Sequence, residues 1–123
     1  MHEQFGPLRY IPITAASGAG GNTTCSIQPP MDEAWEVYAI AAAHDDVART
    51  IYWLLPDGIV GSWGTLYTEA AVTARHYFHR DVGCSAPIRL DNNCYLQYRV
   101  DAMAAGKAIT VVVAARKKIG VLL

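Results

Sequence analysis

Four histidines and three cysteines are the residues from which a metal or nucleophilic site would have to be built. His76 and His79 are three apart. On a strand that spacing sends them to opposite faces, so they would not grip one ion together. On a helix they would share a face, but the run Arg75-His76-Tyr77-Phe78-His79 is aromatic and poor helix sequence. His2 and His44 stand alone. Zinc asks for about four convergent ligands. Cys84, Cys94 and a distant histidine match none of the usual spacings. A cysteine nucleophile needs a partner base, an orienting group and an oxyanion hole, and nothing around Cys25, Cys84 or Cys94 signals these. Buried cysteine acting as a small hydrophobe is the simpler expectation. Asp45-Asp46 and Asp57 read as turn formers. Gly18 to Gly21 is glycine-rich, but the following Asn-Thr-Thr-Cys opens no helix to cradle a phosphate. We therefore expect no catalytic residues, no metal and no cofactor.

The elements that would carry these residues look like strands. From Trp35 to Ala43 a period of two puts Trp35, Val37, Ala39, Ala41 and Ala43 on one side. Glu36, Tyr38, Ile40 and Ala42 fall on the other. Arg49 to Leu55 repeats the alternation with Ile51, Trp53 and Leu55. His44-Asp45-Asp46 reads as the turn of a central hairpin, and Pro56-Asp57-Gly58 ends it. The rival reading is one helix from Asp32 to Leu55, capped by Asp32 and favoured by alanine. Apolar residues surround that helix on every side, and Thr-Ile-Tyr-Trp forms helix poorly, so strands are preferred.

Elsewhere, Leu96, Tyr98 and Val100 alternate with Gln97, Arg99 and Asp101, a half-buried strand. Ile109, Val111, Val113 and Ala115 share one face of a last core strand. Ile88 and Leu90 share a face of a short one, and Asp91-Asn92-Asn93 is a turn. Leu66 to Ala74 suits either a strand or a short helix. The whole predicts an all-β fold, an antiparallel, jelly-roll-like sandwich of about seven to nine strands. Residues 1–31 read as an extended N-terminal arm and edge strand, from Pro12, the flexible run 17–24 and Pro29-Pro30. Residues 32–123 would be the sandwich.

The order Trp35-Glu36-Val37, polar turn, Arg49-containing strand and Asp57-Gly58 resembles a pattern in small structural proteins of tailed bacteriophages. Pro87-Ile88-Arg89-Leu90, a turn, Tyr95 to Val100 and a Val-rich strand continue it, over about residues 33–116. Between Ile59 and Ala74 the chain departs from that pattern. The resemblance implies a capsid decoration, cement or fibre-base protein, a non-enzymatic part of the virion made in the host cytoplasm. Its partners would be the major capsid protein and copies of itself, as a homo-oligomer such as a trimer. The alternatives are a neck, tail or fibre-attachment subunit, or a carbohydrate-binding module using Trp35, Trp53, Trp63 and the tyrosines.

Composition fits assembly. Hydrophobic residues make up 52% and charged residues 17% of the 123. The latter lies below the ~25% of ordinary soluble domains and leaves apolar surface to cover. A net charge of −1 is not the basic footprint of a nucleic-acid binder. No run approaches the ~20 apolar residues of a membrane span, and MHEQFGPLRY lacks the parts of a signal peptide. Three cysteines without a close pair suit a reducing compartment.

Overall fold

Short runs of β-branched and aromatic residues, broken by Gly, Pro, Asn and Asp, make every regular element among the described residues a strand. A computed structural model describes residues 2–56, 63–73, 76–77 and 88–122. In chain order the strands are β1 (His2–Phe5), β2 (Arg9–Ala16), β3 (Gly21–Ile27), β4 (Ala34–His44) and β5 (Arg49–Pro56). There follow β6 (Trp63–Val72), β7 (His76–Tyr77), β8 (Ile88–Asp91), β9 (Leu96–Met103) and β10 (Ala108–Leu122).

The strands form two antiparallel sheets. In the first, β10 lies between β4 and an edge that β1 and β2 share, while β7 and β8 share the far edge of β4. The second runs β3-β9-β5-β6. Each sheet is thus four strands wide, eight positions in all. Numbered by position, they run first-eighth-third-sixth and second-seventh-fourth-fifth, the strand order of a jelly roll. The expected sandwich is present, and Leu66 to Val72 is strand rather than helix.

Between the sheets lies one core. The first sheet contributes Trp35, Val37, Ile40, Ile109, Val111 and Val113, and the second Ile27, Ile51, Trp53, Tyr98 and Val100. The Trp53 and Tyr98 rings meet at 4.6 Å, tilted by 56°. Side chains of this size stabilise the fold by about 1.5–3 kcal/mol each when fully buried.

Three expectations need correction. The segment 34–56 is not a hairpin. β4 and β5 stand in different sheets, and the turn between them crosses from one layer to the other. A polar turn of this kind is the same whether it closes a hairpin or bridges two sheets, so the local sequence did not separate them.

Nor does the alternation in β4 hold throughout. Ala114 pairs with Ala39 and Ala115 with Val37, leaving Tyr38 as an extra residue. This bulge reverses the phase of the strand. Trp35 and Val37 face the core before it, and Ile40, Ala42 and His44 after it. Ala39, Ala41 and Ala43, expected beside Trp35, therefore face outward. β9 shifts in the same way. Leu96, Tyr98 and Val100 point inward, then Ala102 takes φ 56° and Met103 is the next buried residue. The Ala102 N–H donates to Asn22 Oδ1 at 3.0 Å.

Residues 2–31, expected as an arm with an edge strand, hold that edge strand but lie within the sandwich. β2 and β3 are woven into opposite sheets, on β10 and β9 respectively. The glycine-rich run is the corner between them. Gly20 has φ 96°, and a Cβ there would meet the Met103 carbonyl oxygen at 3.0 Å. Pro12 fits because β2 is an edge and needs only one row of partners. The glycines answer to tight backbone geometry, where composition alone had suggested a flexible tether.

Candidate interaction surface

The residues first considered for chemistry are dispersed. His44 ends β4 and is buried. Its Nε2 faces the Val72 carbonyl at 2.7 Å, so that nitrogen must carry the proton, and Nδ1 accepts the Asp46 N–H at 3.2 Å. His2 lies in β1 and His76 in β7. His79, Asp57 and Cys84 lie outside the described residues, as does most of 59–64. Cys25 is buried in the core and Cys94 exposed in the turn after β8. Burial pushes the Cys25 thiol up to about 11. Among the described residues no group of three His, Cys, Asp or Glu side chains could hold a metal ion.

The acidic pair after His44 fastens a corner. Asp46 accepts the Ala104 N–H at 2.8 Å, the Val47 N–H at 2.8 Å and Arg49 Nε at 3.1 Å. Those donors, the Ala104 amide foremost, hold its carboxyl down to about 2. Asp45 accepts the Ala108 N–H at 2.8 Å. Ser17 joins the same end, donating to the Ala104 carbonyl at 2.7 Å and accepting the Lys107 N–H at 2.9 Å. Three connections (β2–β3, β4–β5 and β9–β10) are thereby tied together. The aspartates serve as turn formers, as expected, and also bind a strand connection 58 to 63 residues away.

Of the tryptophans, Trp35 and Trp53 are core residues. The Trp35 indole N–H donates to Glu33 Oε1 at 3.1 Å, and Lys117 Nζ lies 3.3 Å from the same oxygen. The Trp35 bond, then Lys117, draws the Glu33 carboxyl below its usual range. Trp63 is half-buried, edge-on to Tyr95 at 5.2 Å between centroids.

What remains is the outside of the two sheets, and the two outsides differ. On the second sheet Thr24, Arg99, Tyr52 and Thr68 form one row, and Ser26, Gln97, Leu54 and Thr65 the next. The Arg99 guanidinium lies 4.1 Å from the Tyr52 ring centroid, and its Nε is 2.8 Å from Asp101 Oδ1. Gln97 Nε2 donates to Ser26 Oγ at 3.3 Å. Apart from the buried Leu54, these rows are mostly polar, and Arg99, Gln97 and Ser26 are held by pairing within the face.

On the first sheet the outward rows are Tyr10-Ala114-Ala39, Pro12-Val112-Ala41 and Thr14-Thr110-Ala43. None of these nine positions carries a charge. Tyr10 is 72% exposed, and beside it β10 and β4 present only small side chains. Charge returns one row further along, where Arg116, Glu36 and Arg89 lie across the sheet and the Tyr38 hydroxyl donates to Glu36. That bond and burial raise the Tyr38 phenol. The uncharged patch was hidden in the sequence, because its β4 third comes from the phase reversal at Tyr38.

The class defined by these features is an all-β jelly-roll sandwich whose first sheet carries a charge-free patch on its outer face. Comparison with protein-family models gives no match, and comparison with curated proteins gives none.

Proposed function

We propose that this chain is a non-enzymatic structural protein of a tailed-phage virion, a decoration or cement subunit that stabilises the shell through protein contacts. The observation that carries the reading is the charge-free patch of nine positions on the outer face of the first sheet, with Tyr10 standing 72% exposed on it. Apolar, charge-free surface on a small domain marks a partner site, and exposed aromatics are frequent anchors of such sites. The resemblance of residues 33–116 to phage structural proteins supports the same reading. So does a low charge content, at 17% of residues.

The mechanism is mechanical. The module lies against the major capsid protein and other copies of itself, and many small contacts add through linkage on one particle. Its working location is the virion surface.

The test is binding to particles that lack the protein. Purified chain is added to such shells, and occupancy and heat resistance of the particles are measured. Saturating occupancy with a raised disruption temperature is expected. Absence of binding to shells and to particles at any concentration refutes the reading. Copy number separates a shell subunit, at hundreds per particle, from a neck or fibre-base subunit, at few.

A further inference from the structure

One margin of the sandwich lacks a cover. There β3 is the edge of the second sheet, β2 is an edge of the first, and the two are neighbours across the layers. The inward side chains of β2 are Ala15, Ile13 and Ile11, in register with the buried Ile109, Val111 and Val113. All three pack on the core yet stay only half-buried. The second sheet thus stops short of covering the first along this side.

Backbone groups stand open at the same place. Cys25 and Ile27 have 1% and 0% of their surface exposed. Their peptide groups therefore face β9, and strand alternation turns those of Thr24 and Ser26 the other way. The parity of the sheet agrees. The Ile51 carbonyl turns toward β6, where Thr68 Oγ1 donates to it at 2.9 Å. The backbone of Tyr52 then faces β9, that of its partner Arg99 faces β5, that of Tyr98 faces β3, and that of Cys25 faces β9. Among the described residues nothing outside the sheet hydrogen-bonds the N–H or C=O of Thr24 or Ser26. Edge strands are usually closed to newcomers by proline, charge or a bulge. β2 carries Pro12, and β6 carries Glu69 and shifts of register. From Thr23 to Ile27, β3 has none of these.

We infer that this margin accepts an extended segment of another protein chain as an added strand beside β3. A free row of N–H and C=O groups is complementary to the matching row of another strand. The side chains set the pattern of that segment. On its inner side it covers Ile11 and Ile13 and is apolar and β-branched. On its outer side it continues the row of Thr24 and Ser26 and is neutral and polar. A second copy's β3 fits poorly, because its Cys25 and Ile27 are already buried in its own core and cannot also cover Ile11 and Ile13. The site stands on this geometry alone. Only the owner of the segment, the shell protein, rests on the proposed function, which gains here a directional contact in addition to the charge-free patch.

Amide exchange read by NMR tests this on the full chain with two probes. One is the shell that lacks the protein, with the bound chain released before reading. The other is a short peptide alternating valine and threonine, with a lysine at each end. In the chain alone the Thr24 and Ser26 amides should exchange fast, and those of Cys25 and Ile27 slowly. A bound probe should slow Thr24 and Ser26 roughly tenfold or more. Thr24→Pro removes an outward N–H without touching the β9 ladder, and should abolish the slowing at Ser26. Thr24→Val keeps that N–H and should leave the slowing unchanged. Circular dichroism melts confirm that each variant is folded.

Thr24 and Ser26 amides already protected in the dilute chain overturn the inference, as do amides that neither probe slows. So does slowing at Ser26 that survives Thr24→Pro or is lost with Thr24→Val. Protection that grows with the concentration of the chain alone overturns it in favour of a second copy. If shells fill with the chain yet neither probe slows these amides, this inference fails while the proposed function stands. If the peptide slows them and no shell binds, the reverse holds.

Discussion

Replacing Tyr98 by Phe should stabilise this protein. Tyr98 lies on the inward face of β9 with its ring against Trp53, and it is fully buried. Among the described residues its hydroxyl has no hydrogen-bond partner. A stranded buried hydroxyl costs about 1–3 kcal/mol. Removing it leaves a void of roughly 10–15 Å³, about one water-probe sphere. At ~24 cal/mol per Å³ that void costs about 0.3 kcal/mol. The net gain is on the order of 1–2 kcal/mol. For a chain of 123 residues the entropy of melting is roughly 0.26 kcal/mol/K, so Tm should rise by about 4–8 °C.

The alkaline side gives a second signature. Burial raises the Tyr98 phenol above its ordinary value. The folded chain then keeps a proton that the unfolded chain releases near pH 10, so stability falls as pH rises beyond that point. Tyr98→Phe should remove this share of the alkaline loss. Urea unfolding at pH 7 and pH 10.5, with calorimetry at pH 7, reads both effects. A variant that melts several degrees lower, with an unchanged alkaline slope, would show that the hydroxyl is hydrogen-bonded and that the reasoning is wrong.

Val113→Asp places an unpaired carboxyl at a fully buried position on β10 and should cost several kcal/mol, read as a large loss of urea midpoint. Asp46, held down to about 2, stabilises the fold above its unfolded value near 3.9, and that contribution disappears as pH falls toward 2. Asp46→Ala should lower Tm at pH 7 and flatten the acid limb between those pH values, followed by circular dichroism. In a Cys84→Ser background, a thiol reagent should label the exposed Cys94 quickly. The buried Cys25, its thiol pushed up to about 11, should react only at the rate of unfolding, as stopped-flow absorbance would show.

The layer architecture was readable from the sequence because burial at period two is visible wherever a strand stays in phase. Ile109 to Ala115 and Leu96 to Val100 do so, and their inward residues are those anticipated. Three features were not readable, each for a physical reason. A bulge inserts one residue without any compositional mark, so Ile40 and Ala39 exchanged places. A turn such as His44-Asp45-Asp46 satisfies its own backbone locally, and whether it closes a hairpin or spans two layers depends on partners about 60 residues away. The glycines at 18, 20 and 21 resemble a tether, yet positive φ is what their corner requires. The contact surface inherits the first of these failures. Its floor of alanines is outward only because the phase changed.

The extra residue at Tyr38 makes β4 a strand with two parities. Its first half is read on odd numbers and its second on even, and only the insertion keeps both readings true. Deleting that one residue would leave every hydrogen-bonding edge available while moving either Trp35 and Val37 or Ile40 and Ala42 into water. A one-residue change in length at that point is thus more damaging than most substitutions, because it turns half a strand inside out.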